Sequence, residues 1–577
     1  MFEKYFTCLL ALFVISKAQE YDNFANIIVT PTCPLQSQFF SCNPNTRYSK
    51  FDGSCNNIEK PWLGKSFLPF KRYLPPKYDD QKNTPRQRSL SGRSLPNPRM
   101  LSLLYSSDIS KYESLYTHML PIFGQFIAHD VTNSASSQDL NGNAINCDCS
   151  NRNTECISIN MPSNENIMRM SCMKFTRTAH ANSNLNCGFV VREQLNTLTS
   201  FLDASQIYGS DLDRSNSLRL FQGGLLRSSQ GTTSRSFLPL SQSQSCGDEN
   251  IMTFCFVAGE DRSNENLGLT GIHTLFMREH NRIAVELARV NPHWNDQTLF
   301  MEARKLIIGI YQHIIYNEWL PTVVGLNYAK QADLLPASFS GFYNKYNPKI
   351  NPAISNEFAT AAFRFGHTLV RSSFGRFDGN SFMVAASVNI SDILFKNVQA
   401  YNTITGGVES IFLGLINEPA AKYDSNMADT LQNHLFEFVA SDGSVQAIDL
   451  LAANINRGRD HGLPSYNQIR KKYVDYYLAG LFENPIPGGV IGPTFACIIA
   501  NQFKDLKTGD RYFYENGPSP SAFTLDQLNE IKKIGLSRII CNDFDITRIQ
   551  KNVFLISSQK VFCNELTNID FNKWKAF

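Results

Sequence analysis

Apolar residues recur every three to four positions over long stretches of this chain, which is the spacing of an amphipathic helix. Three long stretches and a short one show it, at 270–290, 297–320, 352–370 and 524–534. The short one opens with a Thr-x-x-Gln pattern, which is typical of a helix capping box. Segments that alternate apolar and polar residues are scarce, and no segment repeats. The pattern predicts a mainly α fold, with one large helical domain and few short strands.

The N-terminal region has a different pattern. Lys4 precedes a short apolar run that small residues follow. This pattern is typical of a signal peptide at 1–18. The alternative, a membrane anchor, is disfavoured because the apolar run is shorter than the ~20 residues that a membrane span needs. Residues 19–95 are rich in Pro, Asn and Ser and lead into the basic stretch 86–99. We interpret them as an extended arm on a domain at 96–577, or as a propeptide with a processing site.

The overall charge adds little to this picture. The net charge is +3 and the pI is about 8.1. Such a balance indicates neither a nucleic-acid-binding surface nor an acidic tail. The chain is therefore predicted to be a secreted protein with no nucleic-acid partner and no membrane span.

The cysteines support secretion. Of the 14 cysteines, Cys8 leaves with the signal peptide, so 13 remain, and none has the paired CxxC spacing of a zinc site. Disulfides in an oxidising compartment are the better interpretation. An odd count leaves at least one thiol unpaired or bonded to another chain, and Cys497, in an apolar run, is predicted to be a buried thiol. Asn389 begins one glycosylation sequon. Short loops predict the pairs Cys42–Cys55, Cys172–Cys187, Cys246–Cys255 and Cys541–Cys563.

The stretch 121–132, PIFGQFIAHDVT, sets three polar side chains in an apolar helix pattern. Gln125 and His129 are four residues apart and share one helix face, whereas Asp130 points about 100° away. Two polar faces need two different sets of partners. One interpretation is a core histidine satisfied by a hydrogen bond and an aspartate near a helix end. The other is a functional site.

The stretch 199–205, TSFLDAS, places oxygen ligands at every second position. In an extended loop, the side chains of Thr199, Asp203 and Ser205 would face one side. The main-chain carbonyl of Phe201 could join them. Hard cations such as calcium prefer oxygen ligands of this kind. The alternative is the polar face of a strand.

Three further stretches combine charged or imidazole side chains with Gly-rich or apolar surroundings. They are AGEDRSNE with Arg262 and Glu265, FRFGHTL with His367, and NINRGRDHGLPSYN with Asn454. Together with GQFIAHD, LTSFLDASQIYGS and ACIIANQF, and in this order along the chain, they resemble the animal-type haem peroxidase superfamily, the group that contains myeloperoxidase and peroxidasin. The resemblance extends over most of the chain, from about residue 30 to about residue 570.

The resemblance implies a haem b group between two histidines. His129 matches the distal histidine, a general acid–base that moves a proton between the oxygens of hydrogen peroxide. Arg262 matches the distal arginine, which stabilises negative charge during O–O cleavage, and Gln125 would order water or halide there. His367 matches the axial ligand of the haem iron, and Asn454 matches the amide that accepts its other ring N–H.

The resemblance also implies groups around the haem. Arg457 would pair with a haem propionate. The calcium site of the family falls on Asp130, Thr199, Phe201, Asp203 and Ser205.

Two positions depart from the pattern of the mammalian members. Glu265 matches one of their two haem ester positions, but Ala128 occupies the other and cannot form an ester. Asn266 stands where myeloperoxidase has a methionine that forms a sulfonium link. We therefore expect at most one covalent link, through Glu265, and weak oxidation of halides, of chloride above all.

The implied function is a secreted peroxidase that oxidises small electron donors through a ferryl haem intermediate. The expected donors are phenols, catechols, tyrosine side chains and iodide. One alternative is a catalytically silent adhesion or binding protein that keeps the scaffold. Another is a fatty-acid oxygenase, which the sequence disfavours because Arg364 occupies the position of the radical-forming tyrosine. The sequence indicates neither the physiological donor nor an oligomeric state.

Overall fold

The structure is a computed structural model, and it describes residues 41–89, 91–107, 111–181, 191–230, 235–246, 254–337, 341–439, 445–466 and 475–576. The predicted signal peptide, Cys33 and Cys187 lie outside these residues. No helix in the described ranges combines the length and the apolar character that a membrane crossing requires.

Helices dominate the described part of the chain. In chain order they are α1 Pro98–Tyr105, α2 Met119–Val131, α3 Ser205–Tyr208, α4 Leu212–Leu218, α5 Leu267–Val290, α6 Asp296–Ile314, α7 Leu320–Val324, α8 Leu326–Gln331, α9 Asn356–Thr360, α10 Gly407–Asn417, α11 Asp429–Asn433, α12 Leu450–Asp460, α13 Tyr476–Leu481, α14 Pro493–Thr508, α15 Leu525–Ile531 and α16 Leu536–Asp543. A π-helical segment lies at Ile315–Trp319, and 3-10 segments lie at Asp261–Asn264, Ala362–Leu369, Ile390–Asp392, Val398–Ala400, Thr403–Thr405, Cys563–Glu565 and Phe571–Trp574.

The strands are short and pair in twos, each pair antiparallel. They are β1 Leu68–Pro69, β2 Tyr112–Thr117, β3 Ile159–Asn160, β4 Cys172–Met173, β5 Leu195–Asn196, β6 Ser229–Gln230, β7 Ser236–Phe237, β8 Leu240–Ser245, β9 Phe254–Phe256, β10 Ser373–Phe377, β11 Met383–Asn389, β12 Pro419–Ala421, β13 Leu435–Val439, β14 Val445–Ile448, β15 Arg548–Ile549 and β16 Val561–Phe562. The pairs are β1–β5, β2–β12, β3–β4, β6–β7, β8–β9, β10–β11, β13–β14 and β15–β16. With 38% helix and 14% strand, the predicted mainly α fold is confirmed.

The long helix α5 organises the core. It packs against α2, α6, α10 and α16, and most of its side chains are buried, including Leu269, Leu275 and Phe276 at 0% exposure. Burying an apolar side chain of this size contributes roughly 1.5–3 kcal/mol. The neighbouring α2 is apolar on nearly every side, as expected of a helix inside a large core. This packing holds α2, and the polar residues it carries, near the centre of the molecule.

Two of the predicted helices differ from the continuous ones that the periodicity indicated. The stretch 297–320 is α6 followed by the π-helical segment Ile315–Trp319, and α7 then begins at Leu320 with a proline in its first turn. The stretch 352–370 forms only the short α9 and the 3-10 segment Ala362–Leu369. The backbone of Ala361 leaves the helical region between them, with φ −136° and ψ −73°. At 524–534 the predicted capping box is present, since Thr524 and Gln527 exchange side-chain-to-backbone hydrogen bonds at the start of α15.

Three of the four predicted disulfides are confirmed, namely Cys42–Cys55, Cys246–Cys255 and Cys541–Cys563. The pair Cys172–Cys187 is wrong. The chain at 147–156 folds back beside β4, which brings Cys149 to 5.7 Å from Cys172, Cα to Cα, and those two are bonded. Cys147 bonds Cys156. Cys497 is a buried thiol as predicted, and its Sγ accepts a hydrogen bond from Asn501.

The described part of the arm packs on the helical domain. Arg72 is fully buried and its Nε donates to Glu193 Oε2 at 2.7 Å. Lys71 Nζ donates to Asp505 Oδ2 on α14 at 2.5 Å. The arm therefore contributes buried charges to the same interior that holds α5 and α6.

Candidate active site

Helix α2 separates two sets of polar contacts. His129 is 4% exposed and Asp130 is fully buried, each on a different face. Gln125 and Ala128 keep accessible surface, whereas Phe126 between them is buried in the core. The two polar faces predicted from the sequence are therefore present on one helix.

The chain before α5 brings its polar residues to the His129 face. Glu265 Oε2 lies 3.6 Å from His129 Nε2. Asn266 caps α5 by accepting from the Leu269 amide, and its Nδ2 donates to Gln125 Oε1 at 3.0 Å. The residues just before α5 thus place Glu265 beside His129 and fix the side chain of Gln125 on α2.

Arg262 reaches the same region from the 3-10 segment Asp261–Asn264. Its Nε and Nη2 donate to the two carboxylate oxygens of Glu260 at 3.0 and 2.7 Å, and Nη2 also donates to the Thr132 carbonyl at 2.9 Å. A two-point contact fixes the plane of the guanidinium as well as its place. Arg262 is therefore held at the end of α2, within electrostatic reach of His129.

Burial sets the protonation of this cluster. It lowers the pKa of His129 well below its ordinary value, and the nearby positive charge of Arg262 lowers it further. His129 is thus a neutral imidazole that can accept a proton. Burial also raises the pKa of Glu265 above its usual range.

His367 lies on the 3-10 segment Ala362–Leu369, and α12 supplies its partner. Asn454 Nδ2 is 2.8 Å from His367 Nδ1, and Asn454 Oδ1 accepts from Arg364 Nη1 at 2.7 Å. Burial, with a smaller contribution from Arg364, lowers the pKa of His367 to about 3. His367 is therefore neutral, with Nε2 directed away from Asn454 and open to ligation.

The 3-10 segment that carries His367 packs against α2, which carries His129, and we call the region between these two segments the cleft. Glu265, Arg364 and His367 lie deep enough for desolvation to be the leading cause of their pKa shifts, yet all three keep accessible surface. A Cβ added to Gly366 would lie 3.8 Å from Pro121 Cβ, so the segment with His367 comes close to α2 at this point.

The charges in the cleft fit a group that carries acids. Burial and the neighbouring Arg457 lower the pKa of Arg364 to about 10, and no carboxylate of the described residues forms a salt bridge with Arg364. Arg457 pairs with Asp460 at 2.9 Å but keeps 17% of its side chain exposed. Two adjacent buried guanidiniums repel each other unless an anion joins them. The donor set, an open imidazole with two arginines beside it, fits haem with its propionates.

Four of the five predicted calcium ligands, Asp130, Thr199, Asp203 and Ser205, lie together on the other polar face of α2. Asp130 Oδ1 accepts from Ser205 N and Oγ at 2.6 and 2.9 Å, and Thr199 Oγ1 donates to Asp203 Oδ1 at 3.0 Å. Phe201 is buried in the same loop, at 1% exposure. The described residues contain no group of three or more His, Cys, Asp or Glu side chains placed to hold a metal, so this set depends on hydroxyl and carbonyl oxygens.

Two carboxylates buried side by side need a cation. Asp203 Oδ2 is buried and has no hydrogen-bond partner among the described residues. Burial raises the pKa of Asp130 to about 7, and burial together with Asp130 raises the pKa of Asp203 well above its usual range. A calcium ion would satisfy the orphaned oxygen and relieve this repulsion. The residues fit the ion.

Sequence reasoning missed three residues at the cleft. Glu260 holds Arg262, and its place two residues before the arginine is the only signal for it. Phe395 and Phe436 lie at the Glu265 side, where the Phe395 amide donates to the Glu265 carbonyl at 3.4 Å. Their rings are 5.3 Å apart and both backbones have positive φ, 51° and 54°. No spacing in the sequence points to this pair.

Comparisons with known proteins agree with the geometry. A family model described as "Animal haem peroxidase" matches residues 48–473 and 471–554. The chain belongs to the animal haem peroxidase family. The resemblance seen in the six motifs is thereby confirmed.

Among curated relatives, the family member "Peroxidasin homolog" of Homo sapiens is 36% identical over 592 residues, covering 92% of this chain and 39% of that protein. "Chorion peroxidase" of Drosophila melanogaster is 33% identical and covers 92% of this chain and 71% of that one. "Peroxidase mlt-7" of Caenorhabditis elegans is 33% identical over 570 residues, 92% and 74% of the two chains. This chain thus spans about two fifths of the peroxidasin relative.

Solved structures show the same fold. Peroxidase A from Dictyostelium discoideum superposes with a TM-score of 0.72 at 26% identity, over 88% of this chain and 99% of that one. A fatty acid alpha-dioxygenase from Oryza sativa gives 0.71 at 16% identity, over 96% and 92%. The second likeness is one of fold alone.

Proposed function

We propose that this family member is a secreted haem peroxidase, which uses hydrogen peroxide to oxidise small electron donors. The proposal is supported by two neutral histidines on segments that pack together, His129 on α2 beside Arg262 and His367 beside Asn454. Bound haem b would supply the iron that receives the peroxide and the oxidising equivalents released when the O–O bond breaks.

His129 would act as the general acid–base. Its neutral ring accepts the proton of the incoming peroxide and returns it to the departing oxygen as water leaves. Arg262 would stabilise the negative charge that develops on that oxygen, and the Glu260 carboxylate keeps the guanidinium aimed. Gln125, held by Asn266, would order the water or halide beside them.

His367, Asn454 and the two arginines would hold the haem. A histidine that ligates iron through Nε2 carries its proton on Nδ1, so Nδ1 then needs an acceptor. Asn454 offers one carbonyl oxygen, which Arg364 also uses. When Asn454 turns that oxygen to His367, Arg364 needs another acceptor. A haem propionate shared with Arg457 is the acceptor that we propose.

Glu265 would form the one covalent link to the haem. Its carboxyl is buried beside His129 and lies within hydrogen-bonding reach of Gln125. Ala128 keeps accessible surface at the position of the second ester and has no carboxyl. A single link, together with Asn266 acting as a helix cap, supports weak oxidation of chloride.

Calcium would be bound by Asp130, Thr199, Phe201, Asp203 and Ser205. The ion would tie α2 to the 199–205 loop, one residue away from His129. Its role is structural, because it fixes the helix on which the acid–base group stands.

The proposed donors are phenols, catechols, tyrosine side chains and iodide. The rings of Phe395 and Phe436 support aromatic donors, since the Phe395 amide donates to the Glu265 carbonyl and the Phe395 side chain, in contact with Phe436, is 38% exposed. Backbone strain at two contacting rings, which here are tilted by 52° to each other, is typical of a functional site. Five disulfides in the described residues support an extracellular location.

The two alternatives predict a different site. A silent adhesion protein would not require a neutral His129 placed beside Arg262 and Glu265. A fatty-acid oxygenase needs a tyrosine where this chain has Arg364, which donates to Asn454 instead.

An optical spectrum of the purified protein, followed by guaiacol turnover, tests the proposal. We expect a Soret band and peroxide-dependent oxidation of guaiacol. A panel of iodide, bromide, chloride, catechol and tyrosine should then show activity with the aromatic donors and iodide, and little with chloride. A colourless protein, or a Soret band without turnover, would leave the adhesion alternative.

A further inference from the structure

A row of aromatic side chains leaves the cleft at Trp319. This indole is fully buried and donates from Nε1 to the Leu120 carbonyl at 3.0 Å. It lies on the backbone of α2, where a Cβ added to Gly124 would be 3.1 Å from Trp319 Cζ2. Its ring is 6.3 Å from that of Phe365, two residues before His367. Trp319 therefore contacts both walls of the cleft.

The row continues without a gap to Tyr514. The ring centroids are 6.1 Å apart for Trp319–Phe503, 6.0 Å for Phe503–Tyr316, 5.3 Å for Tyr316–Phe513 and 5.0 Å for Phe513–Tyr514. Each step lies within the range of interacting aromatic pairs, roughly 4.5–7 Å. All five rings are buried. An electron can pass along such a row, since each π system is in contact with the next.

Tyr514 ends the row with a base beside its hydroxyl. Tyr514 Oη is 2.9 Å from His313 Nδ1. Burial lowers the pKa of His313 to about 3, so its ring is neutral. The ring also makes a hydrogen bond to the backbone of Lys532, which leaves Nδ1 for the Tyr514 hydroxyl. His313 Nδ1 is therefore the acceptor of the phenol proton. A phenol that loses an electron becomes a strong acid, and a base within hydrogen-bonding reach takes its proton.

Tyr514 also lines a cavity of about 30 Å³, with room for about two waters. Arg47, Lys305 and Arg511 line the same cavity. Arg47 keeps 41% of its side chain exposed, so the cavity lies at the surface. Tyr514 is 2% exposed, so an electron donor would approach it through the mouth of this cavity. Arg47 is paired with Glu302 and burial lowers the pKa of Lys305 to about 7, so Arg511 is the main positive charge that favours donors with negative charge.

A second tyrosine–histidine pair offers a comparison. Tyr208 Oη is 2.8 Å from His280 Nδ1, and both side chains are fully buried. The ring contacts of Tyr208 within the described ranges are with His280 and Phe300. The pair has the same chemistry as Tyr514–His313 but lacks the row to Trp319.

We propose that Tyr514 is a second oxidation site, remote from the cleft, for one-electron donors such as anionic phenols. Haem bound in the cleft would supply the oxidising equivalents from hydrogen peroxide; Tyr514 would give up one electron along the row, and its proton would move to His313 Nδ1. A phenoxyl radical remains on Tyr514. A donor at the cavity mouth then returns one electron, and His313 returns the proton. The inference rests on the proposed peroxidase function.

Electron paramagnetic resonance of freeze-quenched protein tests the site. The haem-containing protein is mixed with hydrogen peroxide in the absence of a donor. We expect an organic radical whose lines narrow when the protein is made with ring-deuterated tyrosine. Tyr514→Phe keeps the ring and should lose most of that signal, whereas the matched control Tyr208→Phe should keep it. An undiminished signal in Tyr514→Phe would overturn the assignment.

A second variant tests the row itself. Phe513→Leu leaves Tyr514 and His313 in place and removes the ring between Tyr316 and Tyr514. The tyrosyl signal should be lost while the Soret band and peroxide consumption stay as in the unaltered protein. A signal of full size would show that the row carries no electrons. If peroxide is consumed and no tyrosyl radical forms, only this inference fails; if peroxide is not consumed, the proposed function fails with it.

Discussion

His129 and His367 differ in what their second ring nitrogen meets. His129 Nδ1 is buried with no hydrogen-bond partner among the described residues, whereas His367 Nδ1 faces Asn454 at 2.8 Å. A ring tied at one nitrogen suits ligation through the other, because its orientation is fixed. The His129 ring, which has no hydrogen bond at Nδ1 among the described residues, suits proton transfer. The two histidines are thus distinguished by their surroundings, although both are neutral and buried.

His129→Gln should slow the reaction with peroxide. Glutamine keeps a polar side chain of similar length but cannot accept the proton, so the rate should fall by ~10²–10⁴-fold, the usual contribution of general acid–base catalysis. Stopped-flow mixing with peroxide measures the rate. The Soret band serves as the control, since His367 is intact. A rate equal to that of the unaltered protein would remove His129 from the mechanism.

Glu265→Gln should abolish covalent attachment of the haem. An amide cannot form the ester that a carboxyl forms, and Ala128 provides no second link. Extraction with acidic organic solvent measures it: haem should leave the variant and stay with the unaltered protein. Glu260→Gln, which alters the carboxylate that holds Arg262, is the matched control and should retain the haem. Haem that resists extraction from Glu265→Gln would contradict the single link.

The main site residues could be proposed from the sequence because each sits in a short motif that resembles the family's. Glu260, Phe395 and Phe436 could not. Phe395 and Phe436 are 41 positions apart and meet through backbone conformations with positive φ, which bulky residues rarely adopt. Such a contact has no periodic or local signal.

At the scale of elements, α2 joins two sites on two different faces, about 100° apart around the helix axis. Its His129 face meets the chain before α5, and its Asp130 face meets the 199–205 loop. Asp130 also accepts at Oδ2 from the Ala204 amide at 3.3 Å. The 199–205 loop is therefore tied by hydrogen bonds to the helix that carries His129.

Calcium should stabilise the protein more at pH 8 than at pH 6. Without the ion, burial raises the pKa of Asp130 to about 7 and that of Asp203 well above its usual range. Carboxyls whose pKa is higher in the folded state give stability at low pH, and this is lost as pH rises through that pKa. Bound calcium removes the loss. The melting temperature of ion-free protein, with and without added calcium at both pH values, measures the effect.

Asp203→Asn should make the melting temperature insensitive to calcium, because the orphaned carboxylate oxygen is gone. Asp139→Asn is the control, since Asp139 is an exposed loop carboxylate and its loss should leave the calcium response intact. An equal response to calcium in both variants would place the ion elsewhere.

Hydrophobic periodicity predicted the long helices well, but it predicted the segment 352–370, which carries His367, less well. In α5 the apolar spacing and the Asn266 cap agree, so the pattern and the structure coincide. At 352–370 the same spacing continues through Ala361, where the backbone leaves the helical region. Arg364 Nε donates to the Ala359 carbonyl there, a contact that competes with regular helix bonds. Such competition is not visible in a hydrophobic pattern.

At the scale of the whole molecule, the arm and the helical domain share buried charges. Arg72 donates to Glu193 and to Gln194 Oε1, and also to the His461 carbonyl just after α12. A single guanidinium thus links the arm, the 193–194 strand region and the segment that follows Asn454. The described residues of the arm are therefore part of the same packed interior.

Arg72→Met should destabilise the protein by about 3–5 kcal/mol, because it leaves the buried Glu193 carboxyl without its ion pair. Chemical denaturation measures the free energy of unfolding. Arg289→Met, at an exposed pair with Glu286, is the matched control and should change it by about 0–1 kcal/mol. Adding Glu193→Leu to Arg72→Met should recover much of the loss. Equal effects of the two single variants would show that the arm contributes little.

Global contacts also explain the wrong disulfide. Loop length alone favoured Cys172–Cys187, but β3 and β4 pair and bring the 147–156 loop to Cys172. The spacing of cysteines along the sequence cannot predict which of them a β-sheet brings together.

Anomalous diffraction at the iron edge tests most directly whether a haem iron lies between the two histidines. Crystals of the purified protein should show one iron peak, bonded to His367 Nε2 and facing His129 across the cleft. Crystals without an iron peak there, or with iron bound on another surface, would contradict the proposed site.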